Sequence, residues 1–204
     1  MVKIPEFPEL SFDEATHIYR LNGAELPSVT TVMKPLSSEV YGGVDEWVME
    51  QAAGRGTAVH NAIENWSLYG IEDIAPEYRG YFDGFLAWVQ EMKPEVLGNE
   101  CRLYHKSLRY AGTADLPCIV KGKTVMVDVK TTSQLLEMLA RVQLEAYVKG
   151  FESHGVQFDG KAILHLRRDG TYKFEPYPLR DPDAWRVFGA LLTVNGYIQK
   201  FKNR

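Results

Sequence analysis

Apolar side chains recur at Val59, Ala62, Ile63 and Trp66, the i, i+3, i+4, i+7 spacing of a helix that buries one stripe. That spacing predicts a helix over 57–66, entered through Gly54-Arg55-Gly56 with Thr57 near its cap. A second amphipathic stretch, 77–92, carries Tyr81, Phe85, Trp88 and Val89 and ends before Pro94. A third helix follows over 134–151, and a last one over 182–201 sets Trp185, Phe188, Leu192 and Ile198 on its apolar side. Near the N-terminus, Ser28 is a candidate cap for a short helix that stops before Pro35. Short runs over 100–104, 110–120 and 124–130 read as strands. Asn22-Gly23 closes a hairpin between 17–21 and 24–26, and Asp169-Gly170 closes one between 161–166 and 171–175. The order is hairpin, helices, strand cluster, helix, hairpin, helix. It predicts an α/β (α+β) fold, a central mixed β-sheet flanked by helices. One domain spans 1–204, with the hairpin and helices of about 1–95 ahead of the strand cluster that carries the chemistry.

Composition changes this picture little. The 204 residues are 45% hydrophobic and 25% charged, ordinary for a globular protein with a sizeable core. The net charge of −4 excludes a general basic coat, so any nucleic-acid contact needs a local patch or a bound cation. Cys101 and Cys118 have no zinc or iron–sulfur spacing and do not suggest a disulfide scaffold. Residues 1–10 show no secretory or mitochondrial signal, and no apolar run reaches membrane-spanning length. A cytoplasmic location is the expectation.

The strand pair around Lys121-Gly122 carries the chemistry. If those two residues form the loop, Val120 pairs with Lys123, and counting back sets Asp115 opposite Asp128. Carboxylates placed that way stand about 5 Å apart at Cβ and repel, so they call for a cation. Lys130 returns to the same face as Asp128. Two acids with a lysine are what metal-assisted phosphodiester hydrolysis needs. The acid-x-Lys pattern occurs three times, and two are bland: Glu91-Met92-Lys93 on a helix flank, and Asp159-Gly160-Lys161 as a turn before a strand. Gln143 and Tyr147 share one helix face and can hydrogen-bond a phosphate or orient a water. A neutral imidazole at His60 can be a third ligand. Glu64 and Glu100 are equally readable as ligands or as exposed acids. Gly112-Thr113 fits a bulge or close approach that aims Asp115, while Pro117 warns of a one-residue slip that would part the two acids.

Gly56-Thr57-Ala58-Val59-His60, Gly112-Thr113-Ala114-Asp115, Asp128-Val129-Lys130-Thr131 and the Gln143/Tyr147 pair, in this order, resemble the PD-(D/E)xK nuclease superfamily. The similarity is closest to its RecB-like exonuclease branch. Pro27-Ser28-Val29-Thr30-Thr31-Val32 also resembles mitochondrial genome maintenance exonucleases and phage-encoded relatives. The resemblance implies a restriction-endonuclease-like core. It implies Mg²⁺ or Mn²⁺ on His60, Asp115, Asp128 and the Val129 carbonyl, Lys130 as catalytic lysine, and Gln143 and Tyr147 facing DNA. It departs from the family in carrying Asp128 where Glu is commoner. The four cysteines of cluster-bearing relatives are absent, so no iron–sulfur cluster is expected. The implied activity is that of a metal-dependent DNA exonuclease; a small domain without a large basic surface is expected to work from DNA ends and to favour single strands. A structure- or site-specific endonuclease, or a non-catalytic nucleic-acid-binding module, are the alternatives. DNA is the expected partner, with Lys106, Arg109, Arg141, Arg167 and Arg168 as candidate backbone contacts. A recombination or replication protein is a further expected partner, and a phage origin with action in the host cytoplasm a further reading.

Overall fold

The computed structural model describes residues 2–202. Its strands are β1 (Leu10–Asp13), β2 (Ile18–Leu21), β3 (Ala24–Leu26), β4 (Glu95–Val96), β5 (Cys101–Tyr104), β6 (Ala111–Ala114), β7 (Leu116–Val120), β8 (Lys123–Lys130), β9 (Gly160–Leu166) and β10 (Tyr172–Tyr177). Its helices are α1 (Val29–Tyr41), α2 (Glu46–Tyr69), α3 (Arg79–Met92), α4 (Glu137–Glu152) and α5 (Pro182–Lys202), with a 3₁₀ turn at Pro76–Tyr78. The central sheet runs β10-β9-β8-β7-β4, with β8 and β9 parallel and every other pair antiparallel. This is the expected mixed sheet between helices. No helix among the described residues is long and apolar enough to cross a membrane.

Period-two geometry decides what each face of the sheet carries. Met126 on β8 and Ile163 on β9 pack in one cluster with Leu144 and Val148 of α4 and Phe188 of α5. Val127, Val129 and Leu164 pack in the other, against Val59 and Ile63 of α2 and Phe85 and Trp88 of α3. Asp128 and Lys130 alternate with the valines, so they share the face of Met126 and meet α4. Lys161 and His165 share that face on β9 for the same reason.

The β7–β8 turn has the expected register, from Val120 opposite Lys123 to Leu116 opposite Val127. Lys121 and Gly122 both have positive φ (50° and 75°), as a two-residue hairpin turn of this hand requires. The 110–120 run is not one strand, however. It breaks at Asp115: β6 pairs with β5 in a separate two-stranded sheet, while β7 joins the central one. Glu100 N–H donates to the Asp115 carbonyl at 2.9 Å across the break.

Three other local expectations shift. α1 continues through Pro35, because Leu36 packs on the same cluster as Val29, Val32 and Met33. α2 begins at Glu46, capped by Asp45, whose Oδ1 accepts from Trp47 N–H at 2.9 Å, so Gly54 and Gly56 lie inside the helix. A Cβ at Gly54 would meet nothing within 4 Å. Ile198, expected on the apolar side of the last helix, is exposed.

Candidate active site

Five segments converge on one end of β8. The strand itself delivers Asp128 and Lys130; the break between β6 and β7 delivers Asp115; α2 delivers His60. Glu100 stands just before β5 with φ 45°, a left-handed conformation that turns the chain sharply there. Gln143 and Tyr147 come from α4.

Asp128 is the driest member, with 1% of its side chain exposed. Its Oδ2 lies 2.7 Å from Lys130 Nζ. Apart from that ion pair, neither oxygen accepts a hydrogen bond from any described residue. Burial raises the Asp128 carboxyl above its ordinary range, with Lys130 opposing and Asp115 adding to the rise. Lys130 Nζ donates to Gln143 Oε1 at 2.8 Å, and Gln143 Nε2 donates to the Tyr147 hydroxyl at 3.0 Å. The lysine is therefore held between an acid and an amide, and Gln143 is orientated by the tyrosine behind it.

Asp115 Oδ2 accepts from Val129 N–H at 2.7 Å, which ties the chain break to β8 next to Asp128. Burial raises this carboxyl too, with His60 and Lys130 opposing. His60 bridges the site. Its Nδ1 lies 3.0 Å from Glu100 Oε1, its Nε2 3.2 Å from the Val129 carbonyl oxygen and 3.8 Å from Asp115 Oδ2. Burial works against the imidazolium, but Asp115 and Glu100 outweigh it and lift the His60 pKa to about 9. Both ring nitrogens face oxygen acceptors, so the surroundings favour the imidazolium and mark a place where a cation would be welcome.

The donor set fits a hard divalent ion. Ligand atoms of His60, Glu100 and Asp115 lie within 4.8 Å of one another, and the Val129 carbonyl faces the same imidazole nitrogen as Asp115. Carboxylate, carbonyl and imidazole donors of this kind can hold a divalent ion. Glu100, readable either way in the sequence, is inside this group; Asp128 flanks it through its lysine, and Glu64 is not part of it. The signal for Glu100 is not in its neighbours along the chain. It depends on the left-handed turn and on the Glu100-to-Asp115 backbone bond, which no spacing rule captures.

Tyr147 is 4% exposed, and its ring packs into the core beside Val29. A Cβ at Gly112 would come within 2.9 Å of that ring, so the close approach read from Gly112-Thr113 is to Tyr147. Among the basic residues, Arg141 is engaged by Asp181, its Nε donating to Oδ2 at 2.6 Å. Arg55, which the sequence did not single out, donates from Nε to the Thr131 carbonyl at 3.2 Å and lies over the Tyr81 ring. A cavity of about 250 Å³ opens over Lys130 and Gln143, walled by Met33, Tyr41, Leu136 and Ala140. Tyr41, Thr132 and Leu136 also line a neighbouring groove of about 650 Å³ that holds Trp47 and Arg55.

No protein-family model matches the chain. No curated protein matches it either. Among solved structures, it is similar to an alkaline exonuclease (LHK-Exo) from Laribacter hongkongensis, at 12% identity and a TM-score of 0.43, covering 71% of this chain and 81% of that one. It is similar to SSO0001 at 15% identity and a TM-score of 0.40, over 82% of this chain and 74% of that one. LHK-Exo in complex with dAMP aligns at 14% identity and a TM-score of 0.39, over 87% and 92% of the two chains. Likeness this distant leaves the chemistry to be read from the side chains.

Proposed function

We propose that the chain is a divalent-metal-dependent deoxyribonuclease that hydrolyses phosphodiester bonds from DNA ends and favours single strands. The observation that carries this reading is the Asp128 carboxylate: buried, without a hydrogen bond besides its contact with Lys130, and adjacent to the His60, Glu100 and Asp115 group. A dry carboxylate whose one partner is a lysine that itself opens to the cavity leaves a site that favours further positive charge in the working state.

His60, Asp115, Glu100 and the Val129 carbonyl would hold the ion, with Asp128 on its flank. When bound, Mg²⁺ or Mn²⁺ would supply positive charge to the scissile phosphate and lower the pKa of a water. Lys130 keeps its ammonium between Asp128 and Gln143, with 27% of its side chain open to the cavity, where it would donate to the attacking water or to a non-bridging phosphate oxygen. Gln143 fixes the ammonium through Oε1 and would offer the second N–H of its amide to the phosphate backbone. The groove with Tyr41, Trp47 and Arg55 favours a strand with unpaired bases, since apolar and aromatic walls accept base faces that a duplex keeps stacked. The acidic net charge fits a protein that grips little duplex backbone.

The deciding experiment incubates end-labelled linear DNA, single- and double-stranded, beside covalently closed circles, with Mg²⁺ or Mn²⁺. The expected result is nucleotide release from linear single strands, slower release from blunt duplex, and intact circles. Efficient nicking of the circle would replace the exonuclease with an endonuclease. Binding without cleavage, metal present, would leave a non-catalytic nucleic-acid-binding module.

A further inference from the structure

Behind the site, Glu145 of α4 and Lys161 of β9 form an ion pair whose side chains are 1% and 0% exposed. The Asp159-Gly160-Lys161 segment, which reads in the sequence as a turn before a strand, thus places a lysine in the dry interior. Such a pair is a poor way to stabilise a core, because removing two charges from water takes back most of their attraction. Replacing such a pair with apolar side chains of similar size is often neutral or stabilising. A pair retained in this setting calls for a role in geometry.

Its place on α4 shows what geometry it governs. At about 100° per residue, Glu145 points roughly 200° away from both Gln143 and Tyr147. Arg141 and Glu145 lie one turn apart on this second face and meet Asp181 and Lys161. Gln143 and Tyr147 lie one turn apart on the first face, where Gln143 meets Lys130 and the Tyr147 hydroxyl meets Gln143. Lys161 is opposite Met126 in the parallel β8–β9 ladder, two positions before the pair formed by Asp128 and Ile163. The ion pair therefore ties α4 to β9, the strand whose parallel ladder with β8 sets the height of Asp128 and Lys130.

We infer that Glu145 and Lys161 are positioning residues that hold α4 at the rotation in which Gln143 reaches Lys130. The kinetic arm of this inference rests on the nuclease reading; the structural arm does not. The test is the double variant E145L/K161M, because either single change strands a buried charge. It should melt at or above the wild-type temperature. Its kcat on linear single-stranded DNA with Mn²⁺ should fall roughly tenfold while KM stays within about twofold. Its crystal structure should show the Lys130 Nζ to Gln143 Oε1 contact, 2.8 Å in the wild type, broken. A folded double variant with that contact intact and unchanged kcat would overturn the inference and leave the pair structural only. Should the double variant not fold, E145D, which withdraws the carboxylate by one methylene, takes its place: a broken contact with reduced kcat supports the positioning role, and an intact contact with unchanged kcat overturns it. If the wild type cleaves no DNA, the nuclease reading fails, and the Lys130–Gln143 contact alone decides for or against the positioning role.

Discussion

The Asp128 carboxylate meets the Lys130 ammonium at 2.7 Å, yet the acid is 1% exposed and the lysine 27%. One end of the pair is in the core and the other faces the cavity. This asymmetry sets different expectations for the two residues.

Asp128→Asn removes a charge that burial disfavours and keeps the shape of the side chain. In the absence of divalent ions the variant should melt at or above the wild-type temperature, with stability raised by up to about 1 kcal/mol. Hydrolysis should fall by roughly a hundredfold or more, and the melting-temperature increment on adding Mn²⁺ should shrink. Calorimetry with and without the ion checks both. A metal-free variant that melts well below the wild type would contradict the dry-carboxylate account.

Lys130→Ala should behave in the opposite way. The ammonium acts on reacting groups, so turnover is expected to drop roughly 10²–10³-fold while Mn²⁺ affinity, measured by titration calorimetry, is retained. Metal-free stability should fall, since Asp128 loses its cation. Gln143→Ala should share the direction at smaller size, because it removes one of the two contacts that hold the ammonium. Equal losses of Mn²⁺ affinity and rate in Lys130→Ala would remove the lysine from the chemistry.

Gly112→Ala tests the packing beneath the site. The added Cβ would press on the Tyr147 ring at 2.9 Å and on Val29 at 3.3 Å, and overpacking of this kind costs about 1–3 kcal/mol. Tyr147→Phe keeps the ring and deletes only the hydroxyl that accepts from Gln143 Nε2, so stability should change by about 1 kcal/mol or less. Combining the two should leave the Gly112→Ala loss in place, as the clash is with the ring. Thermal melts of the three variants check this; full recovery in the double variant would point to the hydroxyl instead.

Much of this arrangement is legible from local patterns. A two-residue turn at Lys121-Gly122 and period-two alternation are enough to put Asp128 and Lys130 on one face at one strand end. The i, i+4 spacing is enough to put Gln143 with Tyr147. What the patterns miss depends on distant chain segments. The strand break at Asp115 follows from β5 claiming 111–114, a pairing between segments separated by a loop. Glu100 enters the site through a left-handed turn at a residue with no glycine signal. Lys161 reads as a turn residue because a buried lysine is legible only once Glu145, 16 residues earlier, is seen beside it. α1 crosses Pro35 because its apolar face remains covered beyond the proline, a tertiary gain that outweighs a local rule.

His60 rises from an ordinary 6.5 to about 9 in the folded protein, through Asp115 and Glu100 acting against burial. A group with a raised folded pKa binds more protons folded than unfolded, so stability falls as pH rises across that interval. In EDTA, the His60 contribution should be fully present below pH 6.5 and lost progressively as pH approaches 9. His60→Gln, which cannot titrate, should flatten this part of the profile. The proton and a metal ion compete for the same imidazole, so ion binding should strengthen in the direction in which the protein alone weakens. The melting-temperature increment from a fixed Mn²⁺ concentration should therefore be larger at pH 9 than at pH 6.5, and the difference should shrink in His60→Gln. An increment independent of pH in the wild type would mean that His60 is not a ligand, and that the ion, if bound, rests on the carboxylates and the Val129 carbonyl.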